Sequence, residues 1–304
     1  MAQLLGSASS DGGSVVTIGG YDGIHAGHQA LIQATRAEAT ARGVPAVVMS
    51  FEPLPKEYFA GNQAPARLTR FRERFGLLAA DGVDGFFCPR FDAGMAAISV
   101  DDFIHRYLVS ALRVRHLVIG DDFRFGHRAA GNVDDLRRAG DQFGYSVAQV
   151  NSVEVQGQRV SSTSIRQALA RGDMAYVEVA LQRQYQLSGK VIRGRQLGRT
   201  LGYPTANIDL HRRTPPVSGI FAVQVDGIDA TTHLGVASIG TRPTVGGEGV
   251  LLEVFVFDFT GDLYGKRLRV TLKARLRDEQ HFDDLDALVK QMDRDAAAAR
   301  ELLT

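Results

Sequence analysis

The chain has 304 residues, with 35 lysines and arginines against 34 aspartates and glutamates, a formal net charge of +1, 44% apolar residues and 23% charged ones. That balance does not advertise nucleic acid or an anionic membrane surface as a bulk partner, since these are usually met by a dense basic face, and it leaves a local basic patch open; it suits a protein that buries real cores, with room for two domains at about 150 residues each. Its one cysteine, Cys88, excludes an intramolecular disulfide and any site of several thiolates; closing the apolar run DGFFC, it reads as a buried core thiol in a reducing compartment.

The first thirteen residues lack a basic start and a long apolar stretch, so they read as neither a signal peptide nor an anchor. No run approaches the roughly 18 apolar residues of a membrane helix. The expectation is a cytoplasmic protein. From Ser14 onward short apolar runs alternate with helical patterns. Strands are predicted over Ser14–Gly19, Pro45–Phe51, Asp84–Cys88, Arg115–Gly120 and Tyr145–Val150, and helices near 28–42, 68–80, 100–112 and 132–143. Ser99 with Asp102, and Asn132 with Asp135, have capping-box spacing. This alternation predicts an α/β domain with a parallel sheet, whose ligands sit outside the carboxyl ends of the strands.

After Ser161 come two short helical segments, SSTSIRQALARG and DMAYVEVAL, and then the rhythm changes. QLSGKVI, GIFAVQV, THLGVASIG, LLEVFVFDF and RLRVTLKARL are strand-like and punctuated by Gly, Pro and Asp, which predicts a small antiparallel β-barrel. A final amphipathic helix near Asp284–Leu302 offers Leu285, Leu288, Val289, Met292 and Leu302 as its buried stripe. The expected domains are 14–183 and 184–304.

Between the first strand and the first helix the sequence reads GYDGIHAGH, with His25 and His28 three residues apart at the first turn of the helix. Backbone N–H groups lack partners there and the positive end of the helix dipole lies close by, so the spot suits an anion. Gly27 leaves a bare N–H where a side chain would crowd a phosphate. Taken alone the pair has three readings: loop or capping residues, two ligands of a zinc site, or a phosphate cradle. Zinc asks for further N, S or O ligands that no nearby cluster offers. VSSTSIRQAL places Ser162 and Thr163 as N-cap candidates with Arg166 one turn on, a second anion cradle or a plain cap with a surface arginine. IGDDFRFGHR adds Asp122, Phe125 and His127 in a loop at a third strand end, where Phe123 and Phe125 alternate so that one is core and the other is open to stack on a base.

TIGGYDGIHAGHQALI, FEPLP, VIGDDFRFG, VSSTSIRQAL and GRTLGYPTANI, in this order, resemble the prokaryotic bifunctional riboflavin kinase and FAD synthetase family over essentially the whole chain after Ser14. The resemblance implies an HxGH nucleotidyltransferase in the first half and a riboflavin kinase in the second, with riboflavin, FMN and ATP as substrates and Mg²⁺ accompanying ATP. It implies that His25 and His28 stabilise the transferring phosphate, that Ser162, Thr163 and Arg166 hold phosphates, and that Asp122 and Phe125 lie near the flavin. In the second half it implies Thr205 and Asn207 as the metal and phosphate ligands of P-T-A-N, with Gly198 and Gly202 upstream in the phosphate loop. Glu253, which alternation sets on the face opposite Leu252 and Val254 and which would otherwise read as an exposed strand glutamate, becomes the base. Arg277 and Glu279 of ARLRDEQHF take a flavin-binding role.

The sequence also departs from the family pattern. Gly20 and Tyr21 stand where Asn and Phe are usual, Leu54 where His is usual, His127 where another basic residue or Gly is more common, and Ser238 where Asn is usual. Gly20 and Leu54 keep an alternative open, a riboflavin kinase whose first half is weak or inactive in adenylyl transfer. Neither nucleic acid nor membrane is expected as a partner, and the chain is expected to be a monomer or a weak homo-oligomer.

Overall fold

The computed structural model describes residues 12–194, 202–212, 214–244 and 247–304. These fall into two compact units, one of residues up to Pro65 with Thr69–Ser161, the other of Ala66–Leu68 with Ser162–Thr304.

The first unit is a parallel sheet of β1 (Ser14–Ile18), β2 (Ala46–Met49), β3 (Gly85–Phe87), β4 (Val114–Gly120) and β5 (Ser146–Val150), in the order β3-β2-β1-β4-β5. β1 is entirely buried, as its β-branched sequence requires of a central strand covered by helices. Helices α1 (Ala26–Arg42), α2 (Pro55–Ala60), α3 (Phe71–Ala80), α4 (Ala93–Ala96), α5 (Val100–Phe103) and α6 (Val133–Phe143) connect the strands. The expected helix over 100–112 is α-helical for one turn and continues as a π-helix over Ile104–Ala111. Both expected caps form: Ser99 accepts from the Asp102 N–H, and Asn132 shares a reciprocal capping box with Asp135. Cys88 is buried, as expected.

The second unit opens with α7 (Ser162–Arg171) and α8 (Met174–Leu181). It then forms a closed antiparallel barrel of β8 (Gln186–Ile192), β9 (Thr205–Asp209), β10 (Gly219–Asp226), β11 (His233–Thr244), β12 (Gly247–Val256) and β13 (Arg267–Arg277), in the order β10-β11-β12-β9-β8-β13. (A small hairpin of β6 (Glu154–Val155) and β7 (Gln158–Arg159) precedes it, in the first unit.) The compact division falls at Ser161/Ser162, earlier than the expected domain boundary at 183/184, because α8 rests on β13 and Arg275 of β13 donates to the Ala170 carbonyl at 3.4 Å.

The last helix, α9 (Leu285–Leu303), is capped by the Asp284 carboxylate. Its buried face differs from the expected stripe: Leu285 and Leu302 are more than half exposed, while Asp295 and Ala299 are buried. The apolar pattern missed this because the helix uses a carboxylate as its anchor. Asp295 takes a bidentate ion pair from Arg277 of β13, Nε and Nη2 lying 3.0 and 2.7 Å from the same oxygen.

Candidate active sites

In the first unit the sheet order reverses at the β1/β4 pair, the point where an open α/β sheet leaves a crevice for ligands beyond its carboxyl ends. The loop Gly19–His25 leaves β1 at that point. His25 is the N-cap of α1, with extended backbone and no side-chain capping bond. Its ring stacks on that of His28, centroids 3.7 Å apart and planes 21° from parallel, and the Tyr21 ring lies 4.8 Å from that of His28, tilted by 37°. Gly27 has a reason beyond room for phosphate: a Cβ there would stand 3.3 Å from the His25 ring. Stacking and helix geometry thus bring two imidazoles together above the first turn of α1.

The loop beneath them is unusual. Tyr21 (φ 51°) and Ile24 (φ 42°) are left-handed without being glycine, with Gly23 (φ 87°) between. Such backbone persists only where the surroundings over-determine it. Here Tyr21 is fully buried with its hydroxyl 2.7 Å from Thr17 Oγ1, and burial pushes its phenol pKa well above the usual range. Asp22, also buried, accepts from the N–H and hydroxyl of Thr69, whose hydroxyl accepts from the Gly23 N–H. Two of the departures from the family pattern meet in space: a Cβ on Gly20 would lie 3.8 Å from Leu54 Cδ2.

At the end of β4, Asp122 pairs with Arg159 at 2.5 Å, and the neighbouring Asp121 is held below the usual carboxylate range by hydrogen bonds from Ser152. Phe125 is core, buried against Phe103 and stacked on Phe123, which is the more exposed ring of the two. That settles which of the alternating pair is interior. His127 Nδ1 lies 3.1 Å from the Ala96 carbonyl.

In the second unit Ser162 and Thr163 are already helical, so the cap position falls one residue earlier, at Ser161. Ser164 is 3.1 Å from the Tyr176 hydroxyl, and Arg166 Nε donates to the Ala66 carbonyl at 2.5 Å.

The barrel carries the other constellation on its outside. Register sets Ser238 of β11 opposite Glu253 of β12, Glu253 opposite Asn207 of β9, and Asn207 opposite Ile192 of β8. Residues directly opposite share a face with Cβ atoms about 4.5–5.5 Å apart. Leu252 and Val254 point into the barrel and are fully buried, so Glu253 lies half-buried on the outer face, where alternation expects it. Thr205, two residues before Asn207, shares that face. A Cβ on Gly194 would come within 2.4–2.5 Å of the Asn207 amide, so bare backbone closes over this carboxamide.

Gly202 takes φ +83° with open space around it, a turn only glycine adopts freely. Gly198 lies outside the described residues. Glu279 rests against Gly240, where a Cβ would be 2.3 Å from its carboxylate. Arg277 is engaged elsewhere: besides the pair with Asp295, its Nη1 donates to the Asp278 carbonyl and its guanidinium lies over Phe282. The geometry makes it an anchor for α9.

The family model described as FAD synthetase matches residues 7–164, and that described as riboflavin kinase matches residues 181–303. The chain belongs to the bifunctional riboflavin kinase/FMN adenylyltransferase family. Members it resembles include the Escherichia coli K12 protein, 46% identical over 95% of this chain and 92% of that one, and the Pseudomonas fluorescens protein, 45% identical over 95% and 93%. A crystal structure described as a macrolide-efflux protein from Streptococcus pneumoniae is 32% identical, covers 97% of this chain and 96% of its own, and superposes with a TM-score of 0.82. What carries over from that structure is the likeness in fold. Among the described residues no helix is long and apolar enough to cross a membrane. The alternative of a kinase with an idle first half finds no support, since both parts of the family are matched.

Sequence reasoning missed Thr69 and Arg74, which hold the histidine loop from some fifty residues away. One signal was present for Arg74: it shares a helical face with Phe71, Phe75 and Leu78, an i, i+3, i+4, i+7 stripe in which a charge is out of place.

Proposed function

We propose that the chain converts riboflavin and ATP to FMN and ADP on its barrel, and FMN and a second ATP to FAD and pyrophosphate on its parallel-sheet unit. The observation that carries this reading is the coexistence of two separate phosphate-directed constellations, the stacked histidines over α1 and the Glu253–Asn207 row on the barrel's outer face.

In adenylyl transfer an FMN phosphate oxygen attacks the α-phosphorus of ATP, and the bond to the β-bridging oxygen breaks. Charge grows on the equatorial oxygens, so donors fixed in advance accelerate the step more than a base would. His25, His28 and the backbone N–H groups of the α1 first turn, including that of Gly27, fill that role. Ser162, Thr163 and Arg166 hold phosphates, and Asp122 with the rings of Phe123 and Phe125 borders the flavin.

In the kinase step the ribityl 5′-oxygen attacks the γ-phosphorus and ADP leaves. Glu253 orients that hydroxyl and accepts its proton. ATP-using families of this kind require a divalent metal, and the donors present fit Mg²⁺: the Thr205 hydroxyl and Asn207 amide are hard oxygen ligands, and no cluster of three or more His, Cys, Asp or Glu competes among the described residues. Bound with ATP, Mg²⁺ would neutralise phosphate charge. Gly198 and Gly202 serve ATP phosphate binding, Glu279 borders the flavin, and Arg277 acts on that border indirectly, as the anchor of α9. The functional parts are 14–183 and 184–304. The near-zero net charge supports small-molecule substrates in preference to nucleic acid or membrane, and the chain acts in the cytoplasm as a monomer or weak homo-oligomer.

Incubation of the purified protein with riboflavin, ATP and Mg²⁺, resolved by chromatography, is expected to give FMN first and FAD after it, with pyrophosphate. FMN without FAD would overturn the reading of the first unit.

A further inference from the structure

Arg74 of α3 is the largest fully buried side chain among the described residues. A guanidinium is costly to remove from water unless its donors are met, and an apolar residue of similar size would pack as well between Phe71 and Phe86, whose ring centroids lie 5.8 and 5.7 Å from it. Its donors converge instead on the ends of two neighbouring parallel strands. Nη1 donates to the Gly20 carbonyl at 2.9 Å, just past β1; Nη2 donates to the Phe51 carbonyl at 3.4 Å and the Glu52 carboxylate at 3.0 Å, just past β2. The residue that opens this segment, Thr69, grips the same loop at Asp22 and Gly23. The loop is therefore held at two points from one helix start, on either side of the left-handed Tyr21, and Ile24, left-handed too, runs directly into the His25 cap.

We infer that Arg74 is a positioning residue for adenylyl transfer, fixing the backbone that aims His25 and His28. It touches no substrate. It works because a planar fork spans three acceptors in fixed directions, whereas an ammonium is a single point of charge. The inference rests on the adenylyl-transfer reading of the histidine loop, and the kinase reaction in the same chain is its internal control.

The test compares full-length wild type, Arg74→Lys and Glu52→Gln in both reactions. Wild type must form FAD from added FMN and ATP; if it does not, the adenylyl reading itself fails and the role of Arg74 falls with it. Given that activity, Arg74→Lys is expected to lower the FAD-forming kcat about 10- to 100-fold, the scale of a misplacement of about 1 Å. KM for ATP and FMN and the FMN-forming kcat should stay nearly unchanged, and the imidazole NMR signals of His25 and His28 should be displaced. Glu52→Gln keeps the guanidinium and both carbonyl contacts, and its FAD-forming kcat should remain near wild type. Arg74→Lys with wild-type FAD formation, a loss shared equally by both reactions, or a Glu52→Gln loss as deep as that of Arg74→Lys would each overturn the inference.

Discussion

On the proposed function, the parallel-sheet unit and the barrel solve the same problem, placing groups around a phosphate, by different means. In the first, the site is made at a strand end: a loop, a helix first turn and two side chains three residues apart, with the helix backbone supplying positive potential. In the second, the site lies along strand faces, and its members, Asn207 and Glu253, are 46 residues apart and meet only through antiparallel register. A site of the first kind depends on one loop being held rigid. A site of the second kind depends on the register of a closed sheet, where a slip of one residue would turn Glu253 into the barrel and Leu252 out.

The sharpest way to separate the two regions is Glu253→Ala, expected to lower FMN formation about 10²- to 10⁴-fold, as loss of a general base does. FAD formation from supplied FMN should persist, and equal loss of both would break the division of labour. Next in size, Asp295→Ala removes the buried carboxylate that pairs with the mostly covered Arg277 guanidinium and is expected to destabilise the barrel by about 3–5 kcal/mol in denaturant unfolding. KM for riboflavin should move little in the folded fraction, whereas a large rise with unchanged stability would return Arg277 to the flavin. His28→Ala should lower FAD-forming kcat about 10²- to 10³-fold, the effect of losing one preorganised donor, with FMN formation kept.

The smallest expected effect concerns Tyr203, whose pKa burial and a hydrogen bond to Asp293 push up to about 12. The folded state holds this proton more tightly than the unfolded chain, whose phenol titrates near 10. The stabilisation is therefore complete below pH 10 and fades as pH rises toward 12. Urea midpoints across that range should fall for wild type and fall less for Tyr203→Phe.

The order of the elements was legible because periodicity is a local property: β-branched runs gave the strands, and the capping spacings at Ser99 and Asn132 formed as read. The histidine pair was legible for the same reason, since three residues and a helix start are enough to define it. By itself the sequence determined two rhythms, an HxGH corner and a P-T-A-N strand. Only the tertiary structure decided that Phe125 is core, that α7 and α8 pack with the barrel, that Arg277 answers a buried Asp295, and that Arg74 holds the Gly20 loop. Each of these is a contact across 18 residues or more, chosen by which groups meet once water is excluded, and no local pattern records that choice.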